Sequence, residues 1–196
     1  MRKIVLASKS PRRHELLEMV NVDHVVITGD CDENIKEPDP AAFVTALSER
    51  KAEAVLDRIQ KGDVTDQTFP DGAVIVGADT IVCLDGTILG KPADAEDAVR
   101  MLQSLSGKRH TVYTGVTLID SEYGKHVSFC EQTDVFFYSV TEEEIRAYVN
   151  TGDPLDKAGS YGIQGPGAFL VKRLEGDYYT VVGFPIAHFL QILKDF

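Results

Sequence analysis

The chain has 196 residues, of which 43% are hydrophobic, which is enough for one sizeable core but short for two ordinary domains. We therefore predict a single domain over residues 1–196. A formal net charge of -11 argues against the broad basic face that binding to a nucleic-acid polymer requires. No segment approaches the roughly 20 continuous apolar residues of a membrane span, so a soluble, cytoplasmic protein without membrane partners is expected. The three scattered cysteines predict neither a disulfide framework nor a zinc site.

The first half of the chain alternates apolar runs with helix-start patterns. A short buried strand over 3–8 is followed by Ser10-Pro11, which is typical of a helix start, and this helix is predicted to reach about Met19. A second strand over 25–28 and an acidic loop over 29–38 precede Asp39-Pro40, which opens a longer helix to about Gln60. These elements predict an α/β fold.

The second half begins with strands and ends with a mixture of both element types. Asp71-Gly72 precedes an apolar run over 73–76, and Asp85-Gly86 predicts a hairpin between runs 80–84 and 87–89. The later predictions are helices over 94–105 and 141–149, strands over 111–119, 127–138, 169–174 and 179–182, and a helix after Pro185.

Arg12 and Arg13 lie in the opening turn of the first predicted helix, where the helix dipole disfavours cations by roughly 0.3 to 1 kcal/mol each. Backbone N–H groups at a helix start already favour anions, and two guanidinium groups with the hydroxyls of Ser8 and Ser10 would complete a phosphate site. The alternative is that both arginines point into solvent and Ser10 only caps the helix.

Lys51 falls inside the apolar stripe that Phe43, Leu47, Val55 and Ile59 form along the long helix. Such a lysine either lays its stem along apolar neighbours with its ammonium in water, or directs the ammonium into a cleft.

Asp79, in Gly77-Ala78-Asp79-Thr80, is predicted to close an apolar strand, at a position where loops often build active sites. A carboxylate there can hold a metal ion or accept a proton from water, and Glu33 can supply a second oxygen ligand to the same ion. The alternatives are a turn residue for Asp79 and a solvated loop acid for Glu33.

Lys91 and Gln164 lie in glycine-bearing segments that match no phosphate-loop or dinucleotide-binding pattern. Lys91 can still contact a phosphate from its turn, or remain in solvent. The Gln164 amide both donates and accepts hydrogen bonds, so it can read the edge of a nucleobase or bond to backbone.

Several blocks of the sequence together resemble the Maf family of nucleotide pyrophosphatases. They cover nearly the whole chain in the family's order, and they are Ser8-Lys9-Ser10-Pro11-Arg12-Arg13, Gly77-Ala78-Asp79-Thr80, Gly90-Lys91-Pro92, Ser106-Gly107-Lys108, His110–Val116, Asp156-Lys157-Ala158-Gly159, Tyr161–Gly165 and Val182-Gly183-Phe184-Pro185.

The resemblance implies an α/β fold with a central mixed twisted sheet flanked by helices, two-lobed with a cleft, as in inosine triphosphate pyrophosphatases. It implies metal-dependent hydrolysis of a nucleoside triphosphate to monophosphate and pyrophosphate. Asp79 would be the proton acceptor, and Glu33 and Asp79 would hold Mg²⁺ or Mn²⁺. Ser8, Arg12, Arg13, Lys51 and Lys91 would contact or neutralise phosphates, and a homodimer is expected on the same basis.

Within the family, Arg12, Thr80 and Gln164 resemble the pattern of the members that prefer dTTP and UTP. This resemblance implies a pyrimidine nucleotide as the substrate. Two alternatives stay open: a 7-methyl-GTP pyrophosphatase, and a nucleotide-sensing regulator of cell division without catalytic activity.

Overall fold

The fold is built around a mixed β-sheet, described here from a computed structural model for residues 3–64 and 72–196. Seven strands in these ranges form the sheet in the order β2-β1-β3-β5-β6-β7, with β4 paired to β3. The strands are β1 (Ile4–Ala7), β2 (His24–Val26), β3 (Val74–Leu84), β4 (Thr87–Leu89), β5 (Arg109–Asp120), β6 (His126–Phe137) and β7 (Val171–Glu175). β1 runs parallel to β2 and β3, whereas β3–β4 and β6–β7 are antiparallel pairs. The predicted mixed sheet is therefore confirmed.

In the described residues, four helices lie between strands along the chain and two follow the last strand. They are α1 (Pro11–Met19), α2 (Pro40–Gln60), α3 (Ala95–Leu105), α4 (Glu142–Val149), α5 (Tyr178–Val182) and α6 (Ile186–Leu193). Three short 3₁₀ segments, Asp153–Asp156, Ala158–Ser160 and Gly165–Leu170, lie between α4 and β7.

The chain divides into two compact units, each described by itself below. The first contains the described residues up to Asp79, together with Thr114–Glu131 and Gly183–Phe196, and the second contains Thr80–Tyr113 and Gln132–Val182. The single domain over 1–196 and the two-lobed shape with a cleft stay predictions.

The core of the first unit forms where α2 packs on the sheet. Ala52 and Val55 of α2 are fully buried against Val5 of β1 and Ile75 of β3. Asp39 starts α2 as predicted, because its side chain accepts a hydrogen bond from the amide of Ala42 at 2.9 Å.

The core of the second unit forms around α3 and α4. Leu102 and Leu105 of α3 and Ile145 of α4 are buried in one cluster with Phe137 and Tyr161. The predicted capping box at the start of α4 is present, since Thr141 and Glu144 exchange side-chain and backbone hydrogen bonds.

Three predictions about local structure were wrong or shifted. The predicted strand over 179–182 is the helix α5, which begins where Asp177 accepts hydrogen bonds from the amide and hydroxyl of Thr180 at 2.7 and 2.9 Å. This local cap outweighs the β-propensity of the apolar run. The strand predicted over 169–174 begins only at Val171, after a 3₁₀ segment, and β2 is shorter than predicted. Asp71, which precedes the apolar run over 73–76, lies outside the described residues.

Candidate active site

The first part of the candidate site lies at the junction of β1 and α1. Ser8 follows β1 directly, and α1 begins at Pro11 after Ser10 in extended conformation. Ser10 makes no side-chain capping bond; instead its amide donates to Ser8 Oγ at 3.2 Å. Ser10 is therefore the N-cap residue by position, as predicted, but its hydroxyl makes no capping hydrogen bond.

Arg13 is buried, with 9% of its surface exposed, and it fixes Ser8. Its Nη1 donates to Ser8 Oγ at 2.9 Å, and its Nε donates to the carbonyl of Gly183 at 2.8 Å. Ser8 Oγ thus accepts two hydrogen bonds, which use both lone pairs of the hydroxyl oxygen, so the hydroxyl can take part in a further bond only as a donor. Arg13 therefore does not point into solvent, which excludes the alternative in which both arginines do so.

The charge of Arg13 is strongly influenced by burial. Burial lowers the pKa of its guanidinium to about 10, while the carboxylates of Asp79 and Glu33 act in the opposite direction and Arg12 lowers it further. The group is still cationic at neutral pH. Arg12 itself is partly buried at the same helix start. The first turn of α1, where the helix dipole disfavours cations, therefore contains Arg12 and Arg13. The carboxylates of Asp79 and Glu33 act on Arg13 with the opposite charge.

Lys51 joins the two predicted metal-binding acids. Its Nζ lies 2.6 Å from Asp79 Oδ1 and 3.1 Å from Glu33 Oε1. The side chains of Lys51 and Asp79 are only 18% and 14% exposed, whereas that of Glu33 is 63% exposed. The Lys51 ammonium therefore contacts two carboxylates, while its direction into a cleft stays a prediction.

The position of Asp79 differs from the prediction that it closes a strand. β3 continues without a break through Gly77-Ala78-Asp79-Thr80, so Asp79 lies inside the strand. The parallel pairing with β1 ends at Ala7 opposite Gly77, two residues before Asp79. The carboxylate therefore lies just beyond the end of β1, where polar groups can approach it, although β3 itself extends further.

Gly77 allows α2 to approach β3 closely enough for Lys51 to contact Asp79. A Cβ at Gly77 would lie 2.0 Å from the carbonyl oxygen of Ser48 and 2.9 Å from the amide nitrogen of Ala52. Gly115 of β5 makes a similar approach, with a Cβ position 2.4 Å from the carbonyl oxygen of Val44. Two glycines thus bring the backbone of α2 against the sheet beside Lys51.

The two carboxylates suit a small divalent cation. Asp79 and Glu33 approach the same ammonium, and hard oxygen ligands are those that Mg²⁺ and Mn²⁺ prefer. In residues 3–64 and 72–196 no group of three or more His, Cys, Asp or Glu side chains could hold a metal ion. Mg²⁺ commonly uses one or two carboxylates and completes its shell with water and substrate phosphates, so this pair fits such an ion.

The second unit carries the remaining predicted residues. Thr80 follows Asp79 in β3 and is partly buried, and Lys91 is exposed two residues after β4. Gln164 is exposed directly before Gly165, which has a positive φ of 69°. In the first unit, Ser8 contacts Arg13, and Lys51 contacts both Glu33 and Asp79.

Sequence reasoning missed two features of these units. The carbonyl of Gly183 holds Arg13 although it is 170 positions away, and only the block Val182-Gly183-Phe184-Pro185 pointed to that region. Tyr148 was also missed; its hydroxyl lies between Asp153 and the amide of Gly162. His110 is buried against Phe137 and Tyr161.

Comparisons with known proteins cover the whole chain. Residues 3–196 match the family model described as Maf-like protein. A dTTP/UTP pyrophosphatase from Bacillus cytotoxicus is 50% identical over 197 residues, covering 100% of this chain and 96% of the relative. A dTTP/UTP pyrophosphatase from Agathobacter rectalis is 48% identical over 200 residues, covering 99% and 97%.

Among solved structures, a nucleoside-triphosphatase / dITP/XTP pyrophosphatase from Mycobacterium abscessus aligns with 14% sequence identity and a TM-score of 0.42. The alignment covers 98% of this chain and 93% of that structure. In the part of the chain that the structure describes, no helix is long and apolar enough to cross a membrane.

Proposed function

The chain belongs to the Maf family, and on that premise we propose that it hydrolyses nucleoside triphosphates, dTTP and UTP above all, to the monophosphate and pyrophosphate. The full-length relatives with 50% and 48% identity, both named dTTP/UTP pyrophosphatase, support the substrate class. The observation that carries the proposal is the position of Lys51 Nζ, 2.6 Å from Asp79 and 3.1 Å from Glu33. Binding alone would not require a cation and two acids to be held together in this way.

Phosphate binding is assigned to Ser8, Arg12, Arg13, Lys51 and Lys91. The Ser8 hydroxyl supports this role because both of its lone pairs are used by Arg13 and the Ser10 amide, which leaves its proton to donate to a phosphate oxygen. The buried Arg13 adds a fixed positive charge. Its attraction to a phosphate is stronger in a partly desolvated environment than in water.

Asp79 is assigned the role of proton acceptor. An attacking water forms a new bond to phosphorus, its proton passes to the Asp79 carboxylate, and the bond between the nucleotide portion and pyrophosphate breaks. Lys51 holds the carboxylate through Oδ1 and contributes positive charge near the developing negative charge of the phosphates.

The cofactor we propose is Mg²⁺ or Mn²⁺, held by Glu33 and Asp79. When bound, such an ion polarises phosphoryl oxygens and neutralises their charge. The chain supplies two carboxylate ligands, Asp79 on β3 and Glu33 in the loop before α2. Without the ion, the ammonium of Lys51 balances the negative charges of these carboxylates.

Base selectivity is assigned to Arg12, Thr80 and Gln164. The amide of Gln164 is exposed and offers one donor and one acceptor, which matches the alternating edge of uracil or thymine. We further propose that the protein acts in the cytoplasm on free nucleotides, as a homodimer. A monomer by light scattering at micromolar concentration would refute the dimer.

The test is chromatography of the products formed from dTTP, UTP, CTP, GTP and 7-methyl-GTP in the presence of Mg²⁺ or Mn²⁺. We expect monophosphate and pyrophosphate from dTTP and UTP, and no turnover by Asp79→Asn with nucleotide affinity largely retained. Cleavage of 7-methyl-GTP alone would place the chain in the other substrate class. Nucleotide binding without cleavage by the natural chain would make it a regulator instead.

A further inference from the structure

The segment that carries Gln164 meets one phenol oxygen at both of its ends. The amide of Gly162 donates a hydrogen bond to the hydroxyl of Tyr148 at 3.1 Å. At the other end, a Cβ on Gly167 would lie 2.6 Å from the same oxygen and 2.3 Å from the carbonyl oxygen of Gly162. Only glycine fits at 167, so segment 162–167 is closed around the Tyr148 hydroxyl.

An ionic pair holds the Tyr148 hydroxyl in turn. Tyr148 donates to Asp153 Oδ2 at 2.6 Å, and Asp153 Oδ1 accepts from Lys157 Nζ at 3.1 Å. Lys157 also donates to the carbonyl of Asp153 and, at 2.8 Å, to Asp156 Oδ1. All three protons of the ammonium therefore have acceptors, which fixes the side chain in one conformation.

The Lys157 stem packs directly against the same segment. A Cβ on Gly162 would lie 2.8 Å from Cε and 3.0 Å from Cδ of Lys157. The Lys157 side chain is only 12% exposed. Gly162 is thus held by the Tyr148 hydroxyl through its amide and by the Lys157 methylenes on its α-carbon.

The direction of the hydrogen bonds follows from the protonation of Tyr148. Burial, and then the neighbouring Asp153 carboxylate, raise the pKa of the phenol above its ordinary value, so the hydroxyl keeps its proton at neutral pH. The carboxylate can only accept, so the phenol must donate to Asp153, and its lone pair then accepts from Gly162. Replacing the hydroxyl would leave the Gly162 amide and one carboxylate oxygen without these bonds.

From this geometry we propose that Tyr148, Asp153 and Lys157 are positioning residues that set the pyrimidine selectivity of the site by holding Gln164 in one orientation. This inference rests on the proposed function, and specifically on Gln164 as the reader of the base. Gln164 is two residues from Gly162 and directly before Gly165, whose positive φ of 69° turns the chain. A donor and an acceptor can distinguish uracil from cytosine only if the amide cannot shift to suit both, so a loosened segment lowers discrimination.

The test is the substitution Tyr148→Phe in the full chain, with kcat/KM measured for UTP and CTP. We expect the ratio of the two values to fall about tenfold, as the loss of one buried hydrogen bond at a specificity site would give. The kcat for UTP should change less than about threefold, because the phosphate-binding residues of the first unit are untouched. Tyr123→Phe, at a ring that is 71% exposed, is the matched control and should change neither value.

A double-mutant cycle separates positioning from a merely structural role. In a Gln164→Ala background, Tyr148→Phe should have no further effect on the UTP to CTP ratio, because the group that it positions is absent. Equal effects of Tyr148→Phe with and without Gln164 would overturn the inference. If Tyr148→Phe does not fold, Lys157→Met decides, since it retains the packing on Gly162 and removes only the ammonium.

The outcomes distinguish the two levels of the proposal. A natural chain that cleaves no triphosphate overturns the proposed function and this inference together. A natural chain that prefers UTP, with the same preference in Tyr148→Phe and Lys157→Met, overturns the inference and leaves the proposed function standing.

Discussion

Gly77→Ala is expected to reduce both stability and turnover, because α2 lies against β3 at this position. The added methyl would lie 2.0 Å from the carbonyl oxygen of Ser48, where ordinary contact begins at 3.4 Å. The obstructing atoms belong to the backbone, so α2 must move away by more than about 1 Å, and such overpacking costs about 1 to 3 kcal/mol. For a chain of this size each kcal/mol lowers the melting temperature by about 2–4 °C, which predicts a fall of several degrees.

The same movement should reach the candidate site, since α2 carries Lys51 with its ammonium 2.6 Å from Asp79. A displacement of about 1 Å in such a group can lower turnover about a hundredfold. Thermal unfolding followed by circular dichroism and kcat/KM for UTP measure the two effects. Gly90→Ala is the stability control, because nothing lies within 4 Å of its Cβ position. A destabilised Gly77→Ala protein with unchanged kcat/KM would refute the claim that the close approach positions Lys51.

Three further predictions concern single groups. Lys51→Met should lower kcat/KM for UTP by about a hundredfold or more, because the ammonium is lost. Calorimetry without nucleotide should show tighter Mn²⁺ binding, because no ammonium competes with the ion for the two carboxylates. An unchanged kcat/KM or an unchanged Mn²⁺ affinity would contradict the corresponding expectation. Arg12→Ala should lower kcat/KM for UTP through a lost phosphate contact, and an unchanged value would remove Arg12 from the site. Burial lowers the pKa of His110 from 6.5 to about 4, with Asp134 opposing the shift, so the unfolded state takes up this proton first as the pH falls. About 3 kcal/mol of stability should therefore be lost between pH 6.5 and 4, and His110→Asn should show a weaker pH dependence of its unfolding free energy over that window.

The elements that local chemistry specifies could be predicted from the sequence. Asp39-Pro40 opens α2 and Asp85-Gly86 turns the hairpin of β3 and β4, in each case through a backbone conformation or a cap that a few neighbouring residues determine. The helix α5 could not be predicted in the same way, because its five residues have strand propensity and only the Asp177 cap indicates a helix. Short elements are decided by such single contacts and by what they pack against.

The candidate site was partly predictable for a different reason. Lys51 conflicted with the apolar stripe around it, and Arg12 and Arg13 conflicted with the helix dipole, so each marked a place where local rules fail. The partner of Arg13 was not predictable from such rules, since Gly183 lies 170 positions away along the chain. The strand end expected at Asp79 was wrong because the length of β3 depends on which strands pair with it, and a single strand's sequence does not show that.

The location of Asp79 inside β3 limits which insertions and deletions this part of the chain can tolerate. Side chains of a strand alternate between two faces, so inserting or deleting one residue between the Ala7–Gly77 pair and Asp79 would turn the carboxylate to the opposite face, away from Lys51. An acid in a surface loop could tolerate such a change by a small rearrangement. Length variation among functional homologues should therefore be absent from this stretch of β3, and it should collect instead in turns such as 121–125 between β5 and β6.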